Sequence, residues 1–208
     1  MKTSQLSAAL ALAAAALSAQ ATVYSFNATL NSAGEVFPGS ASAATGLATL
    51  SYDDLGTVSV LDDTFSLILA VNGLSGPATA YHIHGAATAS ENGPVRVSLD
   101  SGPFLTSANS GGLLVVTGFG IPVASLLPSI DPVPATPASG LNAGHPSMSF
   151  LAMLQGGLAY MNVHTATYGG GEVRGQLIQV GAVPEPSSYA LLLGGLGLIT
   201  LLARRRSR

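Results

Sequence analysis

Three of the four histidines in this 208-residue chain are spaced as ligands to a single metal ion are spaced. The first two stand in Tyr81-His82-Ile83-His84-Gly85. Side chains alternate along a strand, so His82 and His84 share one face while Tyr81 and Ile83 take the other. The third stands in Tyr160-Met161-Asn162-Val163-His164-Thr165, where Met161 and Val163 suit a core and Tyr160, Asn162 and His164 share the opposite face. If the two strands lie close, His82, His84 and His164 converge, and three imidazoles suit copper or zinc. The plainer alternative is that strand-end histidines bond neighbouring loops and hold no ion. His145, in a Gly-His-Pro loop, reads as structural or incidental.

The other polar residues narrow the chemistry. Between residues 22 and 183 the fixed cations are Arg96 and Arg174, set against Glu35, Asp53, Asp54, Asp62, Asp63, Glu91, Asp100, Asp131 and Glu172. An acidic body without lysine lacks the clustered cations that a nucleic acid requires. Glu172, Arg174 and Gln176 alternate onto one face of the last strand, with Glu35 or Glu172 the expected partner of Arg174 and a merely solvated face the alternative. The pairs Asp53-Asp54 and Asp62-Asp63 offer oxygens to calcium, although turn-forming aspartates are the commoner reading. Cysteine is absent, so disulfides, thiolate nucleophiles and Cys-based metal sites are excluded. Neither a Gly-x-Ser-x-Gly elbow nor a carboxylate pair near a base is present, so the chain is not expected to be an enzyme.

The elements that must position these residues are short strands. Hydrophobic residues make up 48% and charged residues 8%, with 25 Gly and 12 Pro, a composition of small residues and frequent turns. Period-two patterns predict strands over 23–30, 45–52, 65–71, 80–84, 95–99, 113–117, 160–164 and 172–180. Turn signals separate them, among them Asn72-Gly73, Glu91-Asn92-Gly93-Pro94 and Gly169-Gly170-Gly171. The expected fold is all-β: a single antiparallel, Greek-key-like sandwich or barrel. Residues 101–146, rich in Ser, Gly and Pro, read as loop, and 147–155 as a short helix ended by Gly156-Gly157.

The two ends read as addresses outside that domain. Met1-Lys2-Thr3, an apolar run over 6–17 and Ser18-Ala19-Gln20-Ala21 match a secretory signal peptide cut after Ala21, with Ala19 and Ala21 forming the small-residue cleavage site. An Ala-rich soluble helix is the bland alternative. At the other end, Pro184-Glu185-Pro186 precedes an apolar run over 190–203 and then Arg204-Arg205-Arg206. The run is near the lower length limit for a spanning helix, and the arginines place the body outside. The expected organisation is a signal peptide over 1–21, one β domain over 22–182 and a sorting segment over 183–208.

That tail closely resembles the PEP-CTERM sorting signal, with its Pro-Glu-Pro triad, short hydrophobic helix and arginine cluster. The resemblance implies export across an inner membrane by way of a signal peptidase. It further implies transient anchoring, processing by an exosortase near Pro184, Glu185 and Pro186, and delivery to the cell surface, extracellular matrix or biofilm. The body resembles the CHRD, or chordin-type, domain. The matching pieces are Leu30 to Pro38, Ala44 to Ala48, the stretch Leu74-Ser75-Gly76-Pro77-Ala78-Thr79-Ala80-Tyr81-His82-Ile83-His84-Gly85, and Gly171-Glu172-Val173-Arg174-Gly175-Gln176-Leu177. Phe37 departs from the proline usual there. The His-x-His strand is also similar to the copper-binding strand of copper/zinc superoxide dismutases. That likeness implies a metal and not the dismutase, because the cysteine pair is missing and four histidines are too few for two metals. The expected function is therefore a non-enzymatic surface or matrix module that binds polysaccharide or other proteins, with no nucleic-acid partner. The alternative is a copper- or zinc-binding β domain with weak redox activity.

Overall fold

In the computed structural model of this chain, the described residues are 21–36, 39–126, 130–137, 139–140, 142, 144–181 and 194–196. Ten strands form one antiparallel sheet, as the alternating pattern requires: β1 (Val23–Asn31), β2 (Thr45–Asp53), β3 (Thr64–Asn72), β4 (Ala78–His84), β5 (Val95–Ser98), β6 (Leu105–Ser110), β7 (Leu113–Pro122), β8 (Tyr160–Thr165), β9 (Val173–Gln176) and β10 (Ile178–Val180). The spatial order is β5-β4-β8-β9-β1-β2-β3-β7-β6, with β10 also on β1. The sequence neighbours β3 and β4, β5 and β6, and β7 and β8 are not adjacent in this order, so the chain repeatedly crosses the sheet in Greek-key fashion.

The sheet curls into a half-barrel because one face is apolar across most of its width, β6 at the end excepted. Phe26 and Leu30 on β1, Leu50 and Tyr52 on β2, Leu67 and Leu69 on β3, Val116 on β7, Ile83 on β4 and Met161 and Val163 on β8 are all buried on it. A short helix α1 (Phe150–Gln155) plugs one end. Ser149 caps it by accepting from Ala152 N–H, and Phe150, Met153 and Leu154 point inward, the Phe150 ring 6.4 Å from that of Tyr52 and 6.3 Å from that of Phe65. A small polar device brings the two arms of the sheet together. β5 pairs only with the His82–His84 end of β4. Further along β4, the Asn109 side chain on β6 accepts from Ala78 N–H at 2.7 Å and donates to Ala78 O at 2.9 Å, reproducing the bonding of a strand. Tyr81 Oη lies 2.6 Å from Thr106 Oγ1 beside it.

Residues 172–180 were expected to make one strand, but Leu177 turns inward, is fully buried and donates its N–H to Ala159 O, which divides the segment into β9 and β10. Apart from the strand expected over 113–117, the stretch 101–146 was expected to be loop; it also contains β6 and the rest of β7. In β6 the apolar alternation is missing, since its residues are intermediate or exposed. The signal-peptide run with Ala19, the Pro184-Glu185-Pro186 triad and most of the C-terminal apolar run lie outside the described residues; Ala21 is half-buried and Gly194 to Leu196 are helical. Among the described residues no helix is long and apolar enough to cross a membrane.

β9 lies hard against β1. A Cβ on Gly175 would sit 2.5 Å from Thr29 O and 2.8 Å from its carbon. Both are backbone atoms of a paired strand and cannot step aside. Gly175→Ala is expected to cost about 2–3 kcal/mol, as overpacking typically does, measured as a lower denaturant midpoint with an unchanged slope.

Candidate metal centre

The pairing of β4 with β8 sets the site. His82 lies opposite Asn162, His84 opposite Tyr160, and Ala80 opposite His164. With Tyr81, Ile83, Met161 and Val163 committed to the core, His82, His84 and His164 stand together on the outer face. The ring centroids are 5.4 Å apart for His82 and His84, 5.4 Å for His82 and His164, and 6.3 Å for His84 and His164. One ligand nitrogen from each lies within 4.8 Å of the other two. An ion bound at about 2.0–2.1 Å to each nitrogen asks for spacings of roughly 3.3–3.6 Å.

Loops fix the rings. His84 Nδ1 is 2.9 Å from Gly93 O and His164 Nδ1 is 3.0 Å from Gly169 O. A carbonyl oxygen only accepts, so in each ring Nδ1 carries the proton and the neutral ring presents the Nε2 lone pair. A backbone carbonyl on the far nitrogen is the usual way a ligating histidine is oriented. Both Nε2 atoms, together with His82 Nδ1, are buried and have no hydrogen-bond partner among the described residues. Buried polar atoms are seldom left so. Three in one place fit a metal ion.

The protonation states agree. Burial above all, with smaller contributions from the neighbouring His82, His164 and Arg174, brings the His84 pKa down to about 4 against the opposing bond to Gly93. Desolvation lowers His82 and His164 as well. The rings are therefore neutral at neutral pH, the state in which an imidazole can ligate a metal.

Behind His84 stands a column of stacked groups. Its ring lies on Tyr160 at 4.9 Å with planes 10° apart, and the Arg174 guanidinium covers the far side of Tyr160 at 3.5 Å. Tyr160 is pinned at its hydroxyl, which accepts from Gly93 N–H and donates to Gly93 O. Arg174 donates to Asn92 Oδ1 and Thr88 O. The expected carboxylate partner of Arg174 needs correction. Glu172 turns away and accepts from Ser42, Ser75 and Thr165. Glu35 acts on Arg174 electrostatically, without a salt bridge.

Glu35 sits beside this column, and its carboxylate fills the space where a Cβ on Gly171 would stand, 2.5–2.7 Å away. Burial raises its pKa to about 7, outweighing the opposing pull of Arg174 and of the Asn162 side chain. Unfolded, the same carboxyl titrates near 4.5. Between these values the folded protein holds the extra proton, so this group's contribution to stability falls as pH rises from about 4.5 to 7. Glu35→Gln is expected to flatten that slope and to gain about 1 kcal/mol at pH 8, after discounting for solvent screening. Chemical denaturation at pH 5 and pH 8 measures it.

Elsewhere the polar residues serve the fold. His145 Nε2 meets Glu91 at 2.9 Å. The paired aspartates are turn and strand anchors: Asp53 accepts from Leu55 N–H, Asp54 from Thr22 and Gly56, Asp62 from Thr57, and Asp63 from Tyr52. Sequence reasoning placed the three histidines and the face shared with Tyr160 and Asn162. It did not find the stacked role of Tyr160, nor the Gly93 and Gly169 carbonyls. Only the choice of Glu35 as a partner for Arg174 pointed toward the acid.

The fold is an antiparallel half-barrel with a histidine cluster on its outer face. The chain belongs to the CHRD domain family, whose model matches residues 26–177. The PEP-CTERM protein-sorting motif matches residues 182–206. Together they make this an exosortase-sorted extracellular protein, exported and anchored in the membrane transiently. No curated protein and no solved structure matches the chain.

Proposed function

We propose that the protein is a non-enzymatic surface or extracellular-matrix module whose CHRD domain holds one copper or zinc ion on His82, His84 and His164. The observation that carries this is the set of three buried, unpartnered imidazole nitrogens in one cluster. His84 and His164, anchored through Nδ1, offer Nε2, and His82 offers Nδ1, an all-nitrogen donor set suited to copper or zinc. The sorting motif supports the location, where matrix proteins and polysaccharide are the partners at hand. The absence of a nucleophile elbow from the sequence supports a binding role over hydrolysis.

The test is stoichiometry. Purified full-length protein is stripped with chelator, incubated with copper or zinc salts, desalted and subjected to elemental analysis. One equivalent of either metal per chain is expected. Retention of neither metal defeats the metal reading and leaves a purely structural surface module.

A further inference from the structure

Arg96 is the second of the two body cations, and the metal centre does not use it. Between β4 and β5 the register shifts: Ile83 faces Val97, while His84 faces Val95. Arg96 is thus the extra residue of a β-bulge, the local irregularity that re-aims a side chain. The bulge turns Arg96 inward, where it is 9% exposed. Its Nε–H donates to Gly85 O at 2.5 Å. That spends one of five N–H donors and leaves the two terminal nitrogens. Among the described residues no carboxylate is paired with them. Desolvation alone accounts for the lowering of the Arg96 pKa.

The Arg96 side chain borders a cleft. Arg96 lines a cavity of about 530 Å³ bounded by Asn92, Pro94, Pro134, Thr136 and Asn142. No acidic residue lines it. The size falls within the usual range for a small-ligand site, roughly 300–1,000 Å³. A buried guanidinium without a counter-charge is costly, and a ligand that brings the counter-charge repays that cost. The planar fork of two terminal nitrogens matches a carboxylate better than any spherical anion. Prolines line the cleft together with Thr136, which accepts from His145 N–H, and Asn142, which donates to Ala86 O, a lining that suits a compact, hydroxylated body attached to that carboxylate.

We infer that the Arg96 cleft is a binding site for the carboxylate of a sugar acid. The inference does not rest on the metal reading: none of the three histidines lines the cleft, although Gly93, whose carbonyl anchors His84, does. It also gives the bulge a purpose: a regular β5 would alternate Arg96 with Val95 and Val97 and would not turn it into this wall.

The experiment is calorimetric titration of purified full-length protein with sodium glucuronate, with acetate and methyl glucoside as partial ligands. Saturable glucuronate binding is expected, acetate at least about tenfold weaker, and methyl glucoside without effect. Arg96→Gln is expected to lower glucuronate affinity by about tenfold or more, the loss of a charge-assisted pair. Arg96→Lys, which keeps the charge and loses the fork, falls between. No saturable heat with the unsubstituted protein up to about 10 mM glucuronate overturns the inference. So does binding that survives Arg96→Gln unchanged, or binding of methyl glucoside as tight as that of glucuronate. Thermal unfolding of both variants shows whether they are folded, and the titration of the unsubstituted protein decides the matter if they are not.

Discussion

His84→Ala is expected to weaken copper or zinc binding by about 100-fold or more, well beyond the 10–100-fold typical of losing a group that only supports a ligand. Of the three rings His84 is the most deeply set, with one nitrogen donating to Gly93 O and one face on Tyr160. Its removal takes a third of the donor set and frees the Tyr160 ring that it stacks upon. His82→Ala and His164→Ala are expected to lower affinity similarly, because two imidazoles alone make a weak, open site. His145→Ala is the control. Its Nε2 is bonded to Glu91, and it is not among the clustered histidines, so metal affinity is expected to hold. Competition titration with a chromogenic chelator reads all four variants on one scale. Equal affinity in His84→Ala and unsubstituted protein would show that the ion, if bound, is held elsewhere.

The second large effect concerns stability. Glu172→Ala is expected to cost about 3–5 kcal/mol, the range for breaking a buried, fully bonded charge network, and to lower the thermal midpoint sharply. Glu172 is 0% exposed. One carboxylate oxygen accepts from Ser42 Oγ at 2.6 Å and Ser75 N at 2.7 Å; the other accepts from Ser75 Oγ at 2.7 Å and Thr165 Oγ1 at 2.5 Å. Burial pushes its pKa up, but those bonds outweigh it and hold the group below the usual carboxylate range. Its stabilisation is therefore present above the ordinary carboxylate pKa and lost as pH falls through the depressed one. The alanine variant strands donors from the approach to β2, from the β3–β4 connection and from the end of β8 at once. Glu172→Gln keeps the shape but turns an amide N–H₂ toward donors, and it is expected to lose less than alanine.

Where the fold was legible, one rule carried it. Alternation placed Tyr81 and Ile83 inside and His82 and His84 outside, and the same rule worked for β8. It failed for β6, because β6 lies at the end of the sheet and buries little. It failed at Leu177, where a buried apolar residue reads as strand although the backbone bends around it. The helix was legible because Ser149 and Gly156-Gly157 mark its ends, though its first turn begins at Phe150. The histidine cluster was legible because it depends on two strands alone. What surrounds it comes from loops brought together from distant parts of the chain. Gly93, Gly169 and Glu35 become neighbours of the cluster only when the sheet is folded, and no local spacing announces that.

The amide of Asn109 has a consequence for life outside the cell. An open sheet ends in unsatisfied peptide groups, which are templates for another molecule's strand. Ala78 offers one such donor and acceptor, and both are occupied from within by a side chain that imitates a peptide bond. A chain with no disulfide to lock it thus carries, at this point of the sheet, its own stopper against growing into fibres.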